Sequence, residues 1–261
     1  MELSKSKLSL YSGLSSRKQR LKSGLFIVEG EKGVADTLGS FQLEAIIYKE
    51  GFAPTLLDLS KLPEAKVYTT DSRGMDKISS LSTSSNIAAV YRLPEEALGK
   101  RSERSGRSKR VEDGLYLILD GVQDPGNLGT IIRTAHWFGI RRIFASTDTV
   151  DIFNPKTIQS TMGSLAKVEV EYCDLGELIE SNPDLPVYGL LLEGENIYKA
   201  SLGEKGFILM GNEGKGISQE LRNHVTSPLL IPPYNADDHS ESLNVAIATG
   251  ITLAEFRSRG Q

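Results

Sequence analysis

The sequence predicts an α/β protein in two parts. A small α/β domain covers residues 1–95, a basic flexible linker covers 96–113, and a larger domain covers 114–261, with a mostly parallel sheet and helices on both faces. Three observations predict this. Short apolar runs rich in Val, Ile and Leu alternate with helix-length segments through both parts. Between residues 94 and 113 the apolar periodicity stops, and Gly99, Ser102, Ser105, Gly106 and Ser108 lie among basic residues, which is linker composition. After residue 114 the runs are nearly continuous in apolar character, as strands buried on both faces require.

Taken in order, residues 1–24 fit an amphipathic helix and a turn. Leu25-Phe26-Ile27-Val28 is a strand, and Glu29-Gly30-Glu31-Lys32 leads into a helix from Gly33 to Leu38. Ala45 to Tyr48 is the next strand, while Leu56 to Leu62 fits no single period. Lys66 to Thr69 is a strand, Ser72 to Leu81 a helix capped by Asp71 or Ser72, and Ile87 to Tyr91 the closing strand. In the second part, Leu115 to Leu119 is a strand, Thr130 to Phe138 a helix, Arg142 to Ala145 a strand and Pro155 to Gly163 a helix. Val168 to Tyr172 is a strand and Leu175 to Ser181 a helix. Val187 to Leu191 and Phe207 to Met210 are strands, Ser218 to Asn223 a short helix, Leu229 to Ile231 a last strand, and Leu243 to Arg257 a last helix.

Composition narrows the function classes. At 39% hydrophobic and 25% charged residues, the chain has the balance of a globular protein rather than a disordered one. No apolar run is long enough to span a bilayer, and Met1 to Lys7 lacks the apolar core of a secretory signal. The single cysteine, Cys173, can form no internal disulfide. A cytoplasmic location without a membrane partner is the expectation. His136, His224 and His239 show no metal-ligand spacing, so no metal is expected, the triplet Asp237-Asp238-His239 included. The net charge of −4 speaks against nucleic acid only on average. Lys5, Lys7, Arg17, Lys18, Arg20 and Lys22 cluster near the N-terminus, and Lys100, Arg101, Arg104, Arg107, Lys109 and Arg110 cluster in the linker. Local basic segments make phosphate contacts, although a solvated helix and a solvated linker account for the same clusters.

Three segments carry candidate chemistry, each at the C-terminal end of a strand, the edge where open α/β sheets bind ligands. The first runs from Asp120 to Ala135. Its Asp124-Pro125-Gly126-Asn127 turn leaves Asn127 near a helix start, where it could simply cap the helix. Arg133 follows among Ile131, Ile132, Ala135 and Phe138, and it either snorkels to solvent or faces an anion. The second is Gly211-Asn212-Glu213-Gly214-Lys215-Gly216, a tight glycine turn whose spacing fits neither GxxxxGK[ST] nor GxGxxG. Glu213 has no evident structural duty in it. The third is Ile231-Pro232-Pro233, followed after a loop by Ser242-Leu243-Asn244 at the mouth of the last helix. There Ser242 or Asn244 is either an N-cap or a ligand group. No GxSxG elbow supports a hydrolase, and no GxGxxG follows any strand to support a nucleotide-dependent small-molecule enzyme. Trp137 and Phe138 read as core or interface packing.

As a set and in this order, the three segments resemble the motifs of the SpoU/TrmH family of RNA ribose 2′-O-methyltransferases, in the SPOUT superfamily. Asn127 and Arg133 stand at the family's N-x5-R spacing, and the likeness covers residues 114–257. The resemblance implies a catalytic domain whose C-terminal part threads a deep trefoil knot. It implies S-adenosylmethionine as cofactor, held near Leu209, Met210, Gly211, Gly216, Ile231, Leu243 and Asn244. It implies Arg133, Asn127, Glu213, Ser242 and Asn244 as catalytic residues, and a homodimer in which Arg133 reaches the neighbouring protomer's site. The first domain is similar to a small α/β RNA-binding domain, with Arg17, Lys18, Arg20 and Lys22 as RNA contacts. The implied substrate is RNA, with 23S ribosomal RNA as first expectation. The alternatives are transfer RNA as substrate, or a non-catalytic RNA-binding protein that keeps the fold. One departure stands out. The family has a short Gly-containing loop before Ser-Leu-Asn, whereas the loop from Pro233 to Glu241 is longer, acidic and without Gly.

Overall fold

The computed structural model describes residues 1–98, 110–235, 237–238 and 240–259. Of the linker expectation, Lys100, Arg101, Arg104, Arg107 and Lys109 lie outside the described residues, as does His239. The chain forms two compact units, and the segment Phe153–Ala166 groups with the N-terminal one.

In the N-terminal unit, β1 (Leu25–Glu29), β2 (Leu43–Lys49), β3 (Val67–Thr70) and β4 (Ile87–Arg92) form a sheet in the order β1-β4-β2-β3. β4 runs antiparallel to both neighbours, and β2 and β3 are parallel. Residues Ile87 to Tyr91 are all buried, so this sheet is covered on both faces. The first 24 residues make two helices, α1 (Lys5–Ser12) and α2 (Arg17–Ser23), because Gly13 ends the first and Gly24, in the left-handed region, ends the second. α3 (Glu31–Thr37) follows β1, and α4 (Ser72–Ile78) takes Asp71 as its N-cap, the side chain accepting from Gly74 N at 2.8 Å. Tyr11, Leu14, Ile27, Ile47, Met75 and Val90 build one core. On the other face Phe26 stacks with Phe41, Tyr91 and Phe153.

The C-terminal unit holds an all-parallel six-stranded sheet in the order β10-β8-β9-β5-β6-β7. The strands are β5 (Leu115–Leu119), β6 (Arg142–Ala145), β7 (Glu169–Tyr172), β8 (Val187–Asn196), β9 (Gly206–Met210) and β10 (Ser227–Leu230). The helices are α5 (Pro125–Trp137), α7 (Leu175–Glu180), α8 (Gln219–Arg222) and α9 (Val245–Ser258); α6 (Pro155–Thr161) belongs to the segment grouped with the first unit. The central strands are the driest. All of Gly206 to Met210 is buried, and Leu117, Ile118 and Leu119 show no exposure. Each such side chain contributes about 1.5–3 kcal/mol from leaving water.

Two elements differ from expectation for physical reasons. β8 extends past Leu191 because the β10 register slips between Pro228 and Leu229, so that Leu229 pairs with Glu195 rather than with the residue after Gly189. α5 begins at Pro125, not Thr130. Its first turn, Pro125-Gly126-Asn127, holds no apolar residue for a periodicity to detect, but Pro suits the first helical position, where its missing N–H is no loss. Trp137 is 86% exposed, so it is no core residue.

Candidate functional site

The site forms where β5, β9 and β10 end. β5 runs into Asp120, whose carboxylate accepts from Ser218 N at 2.6 Å. Asp124 then caps α5, its Oδ1 accepting from Asn127 N at 2.8 Å. The capping duty expected of Asn127 thus falls to Asp124, and the Asn127 side chain is left for other work.

After β9 the chain turns back on itself, with Asn212 and Gly216 exchanging backbone hydrogen bonds of 3.0 and 2.9 Å. Gly211 is obligatory here, since a Cβ at that position would lie 2.2 Å from the carbonyl carbon of Gly216. Asn212 Oδ1 accepts from Gly214 N and Lys215 N, both at 3.0 Å, and its Nδ2 donates to Gly121 O at 2.7 Å. This side chain stitches the second segment to the first and sets Glu213 against the start of α5.

Asn244 brings in the third segment. It is the N-cap of α9, its Oδ1 accepting from Ala246 N at 3.0 Å and Ile247 N at 3.3 Å. Its Nδ2 therefore faces away from the helix and donates to Asn127 Oδ1 at 2.9 Å. Asn127 Nδ2 in turn donates to Glu213 Oε1 at 3.0 Å. The carboxylate also accepts from Asp124 N at 3.2 Å and Gln123 N at 3.3 Å. The direction of this relay is fixed at both ends. The helix N–H groups need an oxygen from Asn244, and an ionised carboxylate can only accept. Flipping either amide would set oxygen against oxygen or donor against donor. Burial pushes the Glu213 carboxyl up, but the hydrogen bonds from Asn127 and from the Glu213, Gln123 and Asp124 amides outweigh it and hold the group below the usual glutamate range.

Asn127, Glu213 and Asn244 are thus brought together, and other predicted residues stand apart. Arg133 is exposed and makes no hydrogen bond or ion pair with a described residue. Six positions beyond Asn127 on α5, it lies about 9 Å along the axis and about 120° around it, so it does not face the relay. Ser242 is exposed and its hydroxyl stands outside the relay. Leu209 and Met210 have buried side chains and offer a ligand only main chain, and the Met210 carbonyl already accepts from Asp120 N at 2.9 Å. Gly216, with φ of 68°, has open space where a Cβ would point. Ile231 is half-buried and Leu243 is 47% exposed.

Arg17, Lys18 and Lys22 are exposed on α2, as an RNA contact needs. Arg20 is not, which corrects the expectation for it. It is 2% exposed, and its guanidinium donates to the carbonyls of Leu14 and Ser15 at 3.0 and 2.9 Å, bracing the turn between α1 and α2. Sequence reasoning missed Asn212 and Asp124. The Asp-Pro step at a helix start signalled the second, whereas nothing local signals the first.

A cavity of about 300 Å³ lies in the N-terminal unit, lined by Val28, Gly30, Thr37 and Met162 among others, and includes no member of the relay. Among the described residues no group of three or more His, Cys, Asp or Glu is placed to hold a metal, and no helix is long and apolar enough to cross a membrane.

Comparison with known proteins gives a consistent picture. Residues 114–254 match the model of the SpoU rRNA Methylase family, and residues 7–89 match the MRM3-like substrate binding domain. The 23S rRNA (guanosine(2553)-2′-O)-methyltransferase RlmP of Bacillus subtilis is 30% identical over 256 residues, covering 96% of each chain. Among solved structures, a putative RNA methyltransferase of the TrmH family from Porphyromonas gingivalis superposes with a TM-score of 0.83 at 35% identity, covering 99% of this chain and 100% of that one. An AdoMet-bound rRNA methyltransferase from Sinorhizobium meliloti superposes with a TM-score of 0.81 at 27% identity, covering 99% and 97%.

Proposed function

The chain belongs to the SpoU rRNA methylase family, and from that premise we propose that it methylates a ribose 2′-hydroxyl of 23S ribosomal RNA with S-adenosylmethionine as donor. The observation that carries the reading is the relay Asn244–Asn127–Glu213, which ties together segments 117 and 86 residues apart at one sheet edge.

The residues present fit the cofactor. By strand register, Pro228 is level with Gly189 and Gly189 with Leu209. The end of β10 therefore lies two strands, roughly 10 Å, from Gly211. That gap is bordered by the main chain of Gly211 and Gly216, by half-buried Ile231 and by exposed Leu243, a mix of backbone polar groups and apolar surface that suits a purine nucleoside. Bound there, S-adenosylmethionine would supply an electrophilic methyl group.

The chain's own residues then have separate tasks. The relay fixes the two loops and the α9 cap that border the site. Arg133, unpaired among the described residues, orients an RNA phosphate and stabilises the alkoxide that develops as the 2′-oxygen attacks. Its position favours action across a homodimer. α9 is apolar nearly all round and leaves Ile247 55% exposed, while α5 leaves Trp137 86% exposed one turn beyond Arg133. A surface helix of that character needs a partner. Exposed Arg17, Lys18 and Lys22 of the substrate-binding unit hold the RNA backbone. The chain threads the sheet as the trefoil knot of the family.

The test is transfer of labelled methyl to 23S rRNA isolated from a strain lacking the gene, followed by mapping of the modified ribose. A single restored 2′-O-methyl nucleotide is expected, abolished by Arg133→Ala with cofactor binding retained in calorimetry. Label found only in transfer RNA, or loss of cofactor binding together with transfer, would overturn the reading.

A further inference from the structure

The loop between β10 and α9 holds one large aromatic residue, Tyr234, and it is fully exposed, at 107% of its reference area. Its neighbours in the loop are mostly polar, with more acid than base: Asn235, Asp237, Asp238, His239, Ser240 and Glu241, with Ala236 among them. No hydrogen bond or ring contact joins Tyr234 to a described residue. An aromatic side chain left wholly in water has no part in the core.

Its place is nonetheless well defined. Pro232 and Pro233 precede it, and their fixed φ stiffens the exit from the strand. The chain is anchored three residues earlier by half-buried Ile231 and ten residues later by Asn244, which is held in the relay. Three residues span at most about 10 Å. Tyr234 therefore lies within about 10 Å of Ile231, which borders the proposed cofactor gap.

Resting on the reading above, we infer that Tyr234 is a substrate-binding residue that stacks on a nucleobase of the substrate RNA close to the ribose to be methylated. The loop's charge selects this occupant. Asp237, Asp238 and Glu241 repel phosphates, so an RNA strand can approach the rim with a neutral base forward but not with its backbone. Stacking needs only a π-face, which every base presents and which tyrosine supplies at little cost in side-chain entropy.

The experiment compares Tyr234→Ala, Tyr234→Leu and Tyr234→Phe in the full-length protein, using undermodified 23S rRNA. It reads the rRNA Kd without cofactor, KM and kcat for transfer, calorimetric affinity for S-adenosylmethionine, and oligomeric state by light scattering. The expected result for Ala and Leu is an RNA Kd and KM raised about 5- to 150-fold with kcat largely kept. Phe stays near wild type, because the ring and not the hydroxyl acts. The dependence of log Kd on log salt keeps its slope, since stacking releases no counterions. Unchanged RNA affinity for Ala and Leu overturns the inference. So does a weakened cofactor affinity, which would make the ring a cofactor contact, and so does a shift in oligomeric state, which would make it part of a protein interface. Failure of the wild type to methylate 23S rRNA is a separate result, and it would remove the reading on which the inference rests.

Discussion

Asn244 does two jobs with one amide, and a pair of substitutions separates them. In Asn244→Ala both the cap and the link to Asn127 are lost. The cap, with donors at 3.0 and 3.3 Å, is worth about 1 kcal/mol, and the 2.9 Å link about another 1. Asn244→Asp keeps the cap, because a carboxylate accepts from the same N–H groups and suits a helix N-terminus. It breaks the link, because no donor then faces Asn127 Oδ1. The alanine variant should therefore lose about 2 kcal/mol, or roughly 4–8 °C of melting temperature in a protein of this size, and the aspartate variant about half of that. Methyl transfer should fall in both alike, by one to two orders of magnitude, as expected when a positioned group moves by roughly an ångström. Thermal melts by circular dichroism and single-turnover transfer read the two effects independently. Wild-type transfer by Asn244→Asp would refute a positioning role for the relay. Equal destabilisation by the two variants would refute the division of labour.

Three further outcomes follow from the geometry. Because its folded pKa is depressed, Glu213 contributes stability that is complete above its unfolded value near 4.5 and is lost as pH falls through the folded value. Glu213→Gln should lower the melting temperature at pH 7 and flatten its decline below about pH 4.5, as a series of melts against pH will show. Gly211→Ala drives a methyl group to 2.2 Å from the Gly216 carbonyl carbon and should cost about 3 kcal/mol or more, whereas Gly214→Ala, whose Cβ would be 3.8 Å from Asn212 Oδ1, should be nearly silent in denaturant titrations. Arg20→Ala removes two hydrogen bonds from a buried guanidinium and should destabilise the protein by about 3 kcal/mol, while Lys18→Ala should leave stability alone and reduce the salt dependence of RNA binding, as filter binding at several ionic strengths will show.

Much of this was legible in the sequence, for identifiable reasons. β5 stood out from its five consecutive apolar residues, and the two-layer α/β pattern from the alternation around it. The members of the site stood out as a set, because each segment alone reads as an ordinary turn or cap and only the three in order resemble a family's motifs. The links among them were not legible. Asn127 and Asn244 each read equally well as a helix cap, and the choice depended on Asp124 taking one cap and on the Asn244 amide serving two partners. Arg20 failed for a related reason. A basic residue in a basic helix reads as surface, and nothing local announces that the carbonyls of Leu14 and Ser15, exposed by the turn between α1 and α2, will partner its buried guanidinium. The length of β8 was hidden because a register slip against β10 leaves no trace in either strand's composition.

The relay also bears on where the ribose proton goes. Glu213 is the one carboxylate in the relay, yet it is an unpromising base. Four donors, counting its own amide, hold it ionised with a depressed pKa, and a general base works best with a pKa raised toward the working pH. A guanidinium such as that of Arg133 is no proton acceptor. With Asn127 and Asn244 unable to accept a proton, the relay residues and Arg133 leave that task to the substrate's own phosphate or to solvent. The protein's share is then geometric and electrostatic: a rigid, directionally fixed set of amides that forms the site, and a cation brought to the developing alkoxide. On this account Glu213→Gln slows transfer by the same factor across pH 5.5 to 8.5. A proton acceptor at Glu213 would instead make the wild type lose activity at the acid end, as the carboxylate, held below the usual glutamate range, becomes protonated, and the variant would lack that loss.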